Sequence, residues 1–269
     1  MVAVPSSCLF RWAAALILVL TLPLFANEAR ADMACPADPG MAPIALPHLR
    51  AAVHRGVEGL IVALGSSSTE GAMASDLGHS YPAVLQDALS AALPGSHIAV
   101  INRGIGGQDA TEELARLQAD VLAIRPQAVI WQVGANGVLR NVDPAVFHEL
   151  VGKGVRQLQA AGIDVILMDN QQSPRLLAKS GEPLFDQELA AVAQETGASL
   201  FSRKALMRSW RSEGVAFADF LATDGLHHND RGYFCVAAAL SRSMLAGLQE
   251  APATHKLTAA LTLPVPAAR

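Results

Sequence analysis

The sequence predicts an α/β fold, a three-layer α/β/α sandwich around a central, mainly parallel sheet of five strands. Short runs that are apolar on both faces alternate with amphipathic helical stretches, and no solenoid-type repeat interrupts them. The 269 residues are 51% hydrophobic and carry a formal net charge of −4. That composition argues against a disordered chain and against the strongly basic surface of a nucleic-acid-binding protein.

Each predicted strand is a short apolar run that a turn or a helix signal ends. The five strands are predicted at 60–64, 98–101, 128–133, 165–168 and 199–201. Apolar residues at helical spacing predict helices at 81–93, 110–124, 144–161, 187–196 and 229–248. Asp143 and Pro144 form a cap and first-turn pair for the third helix, while Pro126 ends the second.

Residues 1–31 resemble a secretory signal peptide. Arg11 stands before an uninterrupted apolar or neutral run over 13–25, and Ala29-Arg30-Ala31 offers a small-x-small cleavage site. The run is shorter than the ~20 residues that a spanning helix needs, although an uncleaved anchor is the alternative. We therefore expect a periplasmic or secreted chain with no stable membrane insertion after signal cleavage.

The mature chain is predicted to consist of one folded domain with two flanking segments. Residues 32–56 are predicted to be a Pro-rich N-terminal surface segment, residues 57–249 the domain, and residues 250–269 a flexible Ala/Pro-rich tail. Cys35 and Cys235 would remain after the signal peptide is lost. They either pair as a disulfide or stay as two free buried thiols.

Ligands of open parallel sheets bind outside the carboxyl ends of the strands, so the segments that follow the strands are where chemistry is expected. Gly65-Ser66-Ser67-Ser68-Thr69-Glu70-Gly71 is a small-residue turn that exposes a hydroxyl. The glycines of Asn102-Arg103-Gly104-Ile105-Gly106-Gly107 let backbone amides approach a ligand. Gly134-Ala135-Asn136-Gly137 offers a side-chain amide. Taken singly, each of the three is also an ordinary turn.

A fourth segment, Asp224-Gly225-Leu226-His227-His228, precedes the last helix. A histidine base needs a carboxylate that fixes its tautomer, and an Asp three residues ahead can fold back to reach the ring. The same segment could instead supply metal ligands, namely Asp224, His227 and His228, but adjacent histidines seldom face one ion. We therefore expect no metal at this segment.

Together and in order, the four segments resemble the motifs of the SGNH/GDSL hydrolase family, over roughly residues 60–247. The resemblance implies a triad of Ser67, Asp224 and His227, with Ser67 as the nucleophile. It further implies an oxyanion hole made by the amides of Ser67 and Gly107 and by the side chain of Asn136. Ser66 and Gly137 depart from the family pattern, which has Asp at both positions, and this raises the chance of a weak or narrow enzyme.

The implied activity is that of an exported serine hydrolase that cleaves carboxylic esters through an acyl-enzyme, as an esterase or a carbohydrate or short-chain acyl deacetylase. The partner is a small-molecule or glycan ester, and the implied reaction needs no metal and no organic cofactor. Arg175 and the amides after the fourth strand favour a polar scaffold, whereas Leu176, Leu177 and Leu184 favour an acyl groove. The alternatives are an O-acetyltransferase of the same fold that acts on an exported polysaccharide, and a non-catalytic glycan-binding relative.

Overall fold

The structure is a computed structural model that describes residues 34–249, so the predicted signal peptide and tail lie outside the described residues. Its sheet has five parallel strands in the order β2-β1-β3-β4-β5. The strands are β1 Gly59–Gly65, β2 Ile98–Gly104, β3 Ala128–Gln132, β4 Asp164–Met168 and β5 Ser199–Phe201. The predicted α/β/α sandwich is therefore confirmed, and β1 and β2 are longer than predicted.

Ten α-helices surround this sheet within the described part of the chain. The first five are α1 Pro47–His54, α2 Ser67–Glu70, α3 Tyr81–Ala92, α4 Ala110–Ala115 and α5 Ala135–Arg140. The others are α6 Pro144–Ala160, α7 Pro174–Leu177, α8 Glu182–Thr196, α9 Arg203–Ser212 and α10 Asp230–Gln249. Two short 3-10 turns, Leu77–His79 and Phe217–Asp219, and one π turn, Gln118–Leu122, complete the described elements.

Both faces of the sheet are covered, which explains why the strands are apolar on both faces. Alternate residues such as Ile61, Ile130 and Ile166 belong to one buried cluster, which includes residues of α1, α3, α9 and α10. Their neighbours, such as Val62 and Trp131, belong to a second cluster with residues of α6 and α8. The alternation follows from strand geometry, because successive side chains point to opposite faces.

The helix predicted over 110–124 is interrupted. The helix α4 ends at Ala115, Arg116 takes a non-helical conformation, and a π turn follows. Tertiary contacts override helix propensity here, since the Arg116 guanidinium reaches three other segments of the chain. The prediction also began α8 too late, because Pro183 lies in the first turn of a helix that starts at Glu182.

Part of the predicted surface segment contributes to the core. Ile44, Leu46, Leu49 and Ala52 are buried, and α1 packs on the sheet. The Asp164 carboxylate binds the first turn of α1, because it accepts the Leu49 N–H at 2.9 Å. A disulfide joins Cys35 to Cys235 of α10.

Reversal of the connection order places a crevice between β1 and β3. The chain runs from β1 to an edge strand on one side and then returns to β3 on the other side of β1. Loops that follow β1 and β3 diverge at such a point and leave room for a ligand. The Ser67 and Asn136 segments follow these two strands.

Candidate active site

Three of the predicted site residues form one chain of short hydrogen bonds at the carboxyl edge of the sheet. Ser67 Oγ lies 2.7 Å from His227 Nε2. His227 Nδ1 lies 2.6 Å from Asp224 Oδ2. A carboxylate accepts at Nδ1, so Nε2 is left to accept the serine proton. The arrangement can raise the nucleophilicity of a hydroxyl.

The loop that carries the acid and the base is folded around the Asp224 carboxylate. Its Oδ1 accepts the N–H groups of Leu226 and His227, each at 3.0 Å. Partial burial raises the pKa of Asp224, but hydrogen bonds from these amides and from the His227 ring lower it more, so the net pKa is below the ordinary value. Asp224 therefore remains a carboxylate that orients the imidazole at neutral pH.

The nucleophile lies at the sharp turn from β1 into α2. Ser67 is the first residue of α2, where backbone N–H groups have no partner inside the helix. The helix closes after one turn at Gly71, whose φ of 105° favours glycine. Ser67 is half-buried, and its hydroxyl meets His227 across the crevice.

The glycines of the second segment allow close approach to this turn. A Cβ on Gly104 would lie 2.0 Å from the Glu70 nitrogen, so the end of β2 fits against α2 only without a side chain. A Cβ on Gly106 would lie 3.9 Å from the Ser67 Cβ. Gly107 has a φ of 81°, and its carbonyl accepts from Arg140 Nη2 at 2.6 Å.

Asn136 lies in the first turn of α5 and touches the same segment. Its Nδ2 donates to the Gln108 carbonyl at 2.8 Å, which uses one of its two amide hydrogens. Arg116 fixes the segment from the other side, because its Nε donates to Gln108 Oε1 at 2.6 Å and its Nη2 to the Gly65 carbonyl at 2.9 Å. The segment over 106–108 thus links the neighbourhoods of Ser67 and Asn136.

His228 does not join the site. It is fully buried, and its Nδ1 lies 3.1 Å from the Phe220 carbonyl oxygen. Burial lowers its pKa to about 3, and the nearby positive charge of Arg203 adds to the effect. Within residues 34–249, no group of three His, Cys, Asp or Glu side chains is arranged to hold a metal ion.

Sequence reasoning missed the residues that support these segments from below. Arg116 and Arg140 hold the glycine segment, and Gln132 contacts the segment that carries Ser67. Gln171 is one of the amides expected to favour a polar substrate, and in the structure it contacts the segment that carries His227. The signal that could have found Gln132 is an amide side chain at the end of an otherwise apolar strand. Arginines on helices carry no such signal, since most are solvated.

Arg175 lies beside the acid–base loop. Its backbone N–H donates to the Gly225 carbonyl at 3.3 Å, and a Cβ on Gly225 would lie 4.0 Å from Arg175 Cγ. The residue is exposed. Leu177 is 45% exposed and Leu184 47%, whereas Leu176 is buried, so of the three predicted groove residues only the first two present large apolar surface.

Comparison with known proteins gives a consistent family and fold. The model of the non-GDSL lipase-like family matches residues 32–250. An arylesterase of Vibrio mimicus is 29% identical over 150 residues, which are 55% of this chain and 70% of the relative. Esterase TesA of Pseudomonas aeruginosa is 27% identical over 161 residues, which are 60% of this chain and 75% of the relative.

Two solved structures have the same fold. A two-domain esterase active on acetylated mannans, co-crystallised with mannopentaose, has a TM-score of 0.67 and 23% identity over 78% of this chain. The match spans 55% of that longer protein. Axe2, an acetylxylan esterase from Geobacillus stearothermophilus, has a TM-score of 0.60 and 22% identity, over 69% of this chain and 93% of Axe2. At these identities the likeness establishes the fold, and the predicted resemblance is confirmed at that level.

Proposed function

The chain belongs to the non-GDSL lipase-like family, and from this premise we propose that it is an ester hydrolase that works through an acyl-Ser67 intermediate. The observation that carries the proposal is the hydrogen-bonded series from Ser67 Oγ through the His227 ring to the Asp224 carboxylate. The absence of Asp beside Ser67 agrees with the family description, since Ser66 stands where a GDSL motif has its acidic residue.

In the proposed first step, Ser67 Oγ attacks the ester carbonyl carbon while His227 Nε2 takes the hydroxyl proton. Asp224 holds the imidazole in the tautomer with Nδ1–H and stabilises the imidazolium that forms. The tetrahedral oxyanion would accept hydrogen bonds from the Ser67 and Gly107 amides and from the second Nδ2 hydrogen of Asn136. His227 then returns its proton to the departing alcohol, and acyl-Ser67 remains.

In the second step, water attacks the acyl carbon and gives a proton to His227 Nε2. Collapse of the second tetrahedral intermediate expels Ser67 Oγ, which recovers its proton from His227. The same donors serve both oxyanions, so their loss slows both steps. Removal of one such donor typically costs ~10²–10³ in rate.

We propose short-chain esters on a polar scaffold as the substrates. The exposed Arg175 at the edge of the acid–base loop and the half-buried position of Ser67 favour a small acyl group with a hydrophilic leaving alcohol. The named activities of the structural relatives, on acetylated mannans and acetylxylan, support the same class. Acetylated glycans are therefore the first substrates to try.

Export is part of the proposal. The signal-like residues 1–31 and the disulfide between Cys35 and Cys235 support an oxidising compartment, because disulfides persist there and are rare in the cytosol. None of the helices within residues 34–249 has the length and apolar character that crossing a membrane requires.

The test is hydrolysis of p-nitrophenyl acetate, butyrate and octanoate by residues 32–269, beside Ser67→Ala and Ser68→Ala. Ser68 is buried, next in sequence and in the same helix, so it is the matched control. We expect turnover that falls at least ~10³-fold in Ser67→Ala and stays within severalfold in Ser68→Ala. After reaction with p-nitrophenyl acetate and rapid quenching, intact-protein mass spectrometry should show wild-type protein that is heavier by one acetyl group. Equal negligible turnover in wild type and Ser67→Ala would reject the proposal.

A further inference from the structure

Gln132 contacts the nucleophile turn from beneath. It is the last residue of β3 and fully buried. Its Oε1 accepts from the Ser66 amide at 3.2 Å, from the Ser66 hydroxyl at 3.3 Å and from Thr69 Oγ1 at 3.1 Å. These donors lie on both sides of Ser67 in the chain. One oxygen atom therefore fixes the turn that carries the nucleophile.

The space for this amide is shaped by its neighbours. A Cβ on Gly65 would lie 2.3 Å from Thr69 Oγ1 and 3.0 Å from Gln132 Oε1, so the contact needs glycine at position 65. Tyr81 OH lies 3.3 Å from Thr69 Oγ1. Burial raises the pKa of Tyr81 to about 12, so the phenol keeps its proton and can donate to Thr69 while Thr69 donates to Gln132.

A second buried glutamine supports the acid–base loop. Gln171 Nε2 donates to the Leu226 carbonyl at 3.0 Å, and Leu226 lies between Asp224 and His227. Gln171 Oε1 in turn accepts from Arg203 Nη2 at 2.7 Å. Arg203 is fully buried, and the same Nη2 donates to the Asp169 carbonyl at 3.0 Å. The loop is thus tied through Gln171 to the loop that follows β4 and the start of α9.

Gln132 carries a cost that an apolar residue would avoid. Gln132 Nε2 is buried and has no hydrogen-bond partner within residues 34–249, as is true of Arg203 Nε. A buried polar atom left unpaired destabilises the folded state. Packing alone would be served as well by a residue such as leucine or methionine. The amide at position 132 is explained by the Ser66 and Thr69 groups that donate to its oxygen.

We propose that Gln132 and Gln171 are positioning residues that together set the 2.7 Å approach of Ser67 Oγ to His227 Nε2. Gln132 fixes the serine turn, and Gln171, oriented by Arg203, fixes the base loop. Neither is assigned a contact with substrate. The inference rests on the proposed function.

The test compares Gln132→Leu and Gln171→Glu with two controls. Gln171→Glu keeps an acceptor for Arg203 but loses the donor to Leu226. Gln127→Leu removes an acceptor from the opposite end of β3, where Oε1 accepts the Leu60 N–H at 2.7 Å. Gln159→Leu removes a donor to the Thr196 carbonyl at 3.0 Å. The kcat and KM for p-nitrophenyl acetate are measured, together with the rate at which a fluorophosphonate labels Ser67.

We expect kcat and the labelling rate to fall ~10–100-fold in Gln132→Leu and Gln171→Glu, with KM within about threefold, because a small misplacement of reacting groups acts on the chemical step. The two controls should lower the melting temperature and leave kcat unchanged. Gln132→Glu restores the acceptor and should recover part of the loss.

Two failures are distinguishable. Wild-type protein that neither hydrolyses the ester nor reacts with the phosphonate would reject the proposed function. An active wild type with Gln132→Leu and Gln171→Glu labelled at the wild-type rate would overturn the positioning role alone. If Gln132→Leu does not fold, Gln132→Met, which also removes the acceptor and keeps the length of the side chain, takes its place.

Discussion

The His227 ring is held between two short hydrogen bonds, to Ser67 at 2.7 Å and to Asp224 at 2.6 Å. In Asp224→Asn the amide can still accept from the loop N–H groups but also presents an N–H₂ group to the ring, which favours the wrong tautomer. We expect kcat to fall ~10²–10⁴-fold with a small change in melting temperature. Steady-state kinetics and a thermal melt check both.

Asp219→Asn is the control for this substitution. Asp219 is exposed and caps a 3-10 turn by accepting the Ala216 N–H at 2.9 Å, as Asn can also do. Its activity should match the wild type. Asp224→Asn with wild-type kcat would show that the carboxylate does not set the tautomer.

Sequence patterns found the residues that act on one another directly and missed those that act through the backbone. The triad of Ser67, Asp224 and His227 is what the resemblance to the SGNH/GDSL family implies, and the structure brings the three side chains together. Gln132 contacts main-chain and hydroxyl atoms 63 to 66 positions away, so no local pattern reveals it. The role of Asn136 in an oxyanion hole stays a prediction, and the structure adds that one of its hydrogens is used on Gln108.

At the scale of the element, α4 is connected to β3 through a buried acid. Glu113 of α4 is 1% exposed, and its Oε2 accepts from Trp131 Nε1 at 2.8 Å. Burial raises the pKa of Glu113 to about 8. The folded state therefore keeps this proton up to about pH 8, whereas the unfolded chain releases it near the ordinary glutamate pKa of 4.5. Between these pH values the folded state binds more protons than the unfolded state. The contribution of Glu113 to stability is therefore lost as the pH rises.

Glu113→Gln should remove that pH dependence. The free energy of unfolding of the variant minus that of the wild type is expected to grow between pH 5 and pH 8, by at most ~1.4 kcal/mol per pH unit. Urea unfolding at four pH values measures it. Other buried groups, including Asp169 and His228, are present in both proteins and cancel. Glu149→Gln, at an exposed position on α6, should show the same pH dependence of the free energy of unfolding as the wild type. The same pH dependence in Glu113→Gln would contradict the assignment.

The strands were predicted better than the helices because burial on both faces leaves a run of apolar residues that is hard to mistake. The boundaries of α4 and α8 were wrong for different reasons. Arg116 leaves the helical conformation at the end of α4 and bonds Gly65 and Gln108, which is a long-range effect that local sequence does not encode. The earlier start of α8 was readable in principle, since Pro183 is a first-turn residue.

At the scale of the whole molecule, the disulfide connects the beginning of the described chain to its last helix. Cys35 and Cys235 are 200 residues apart in sequence. Cross-linking so long a loop restricts the unfolded chain, and loss of such a bond typically costs ~2–4 kcal/mol. Cys35→Ser should therefore melt at a lower temperature and keep wild-type kcat at 25 °C, because the bond lies outside the triad.

The control for the disulfide prediction is chemical. Dithiothreitol should lower the melting temperature of the wild type to that of Cys35→Ser and leave the variant unchanged. The wild type is also unfolded, reduced and refolded, so that the reductant can reach the bond. An unchanged melting temperature after this treatment would mean that the two cysteines are not paired in the protein.

The same bond imposes an order in time on biogenesis. Cys35 is made early, and its partner follows 200 residues later, a delay of roughly 10–40 s at ~5–20 residues per second. If the leader is removed, these two are the remaining cysteines of the three in the chain, so Cys35 waits as a thiol with a single intramolecular partner to come. The disulfide then forms only after Cys235 has been synthesised. Its formation needs a thiol oxidant but no isomerase to correct a wrong pairing.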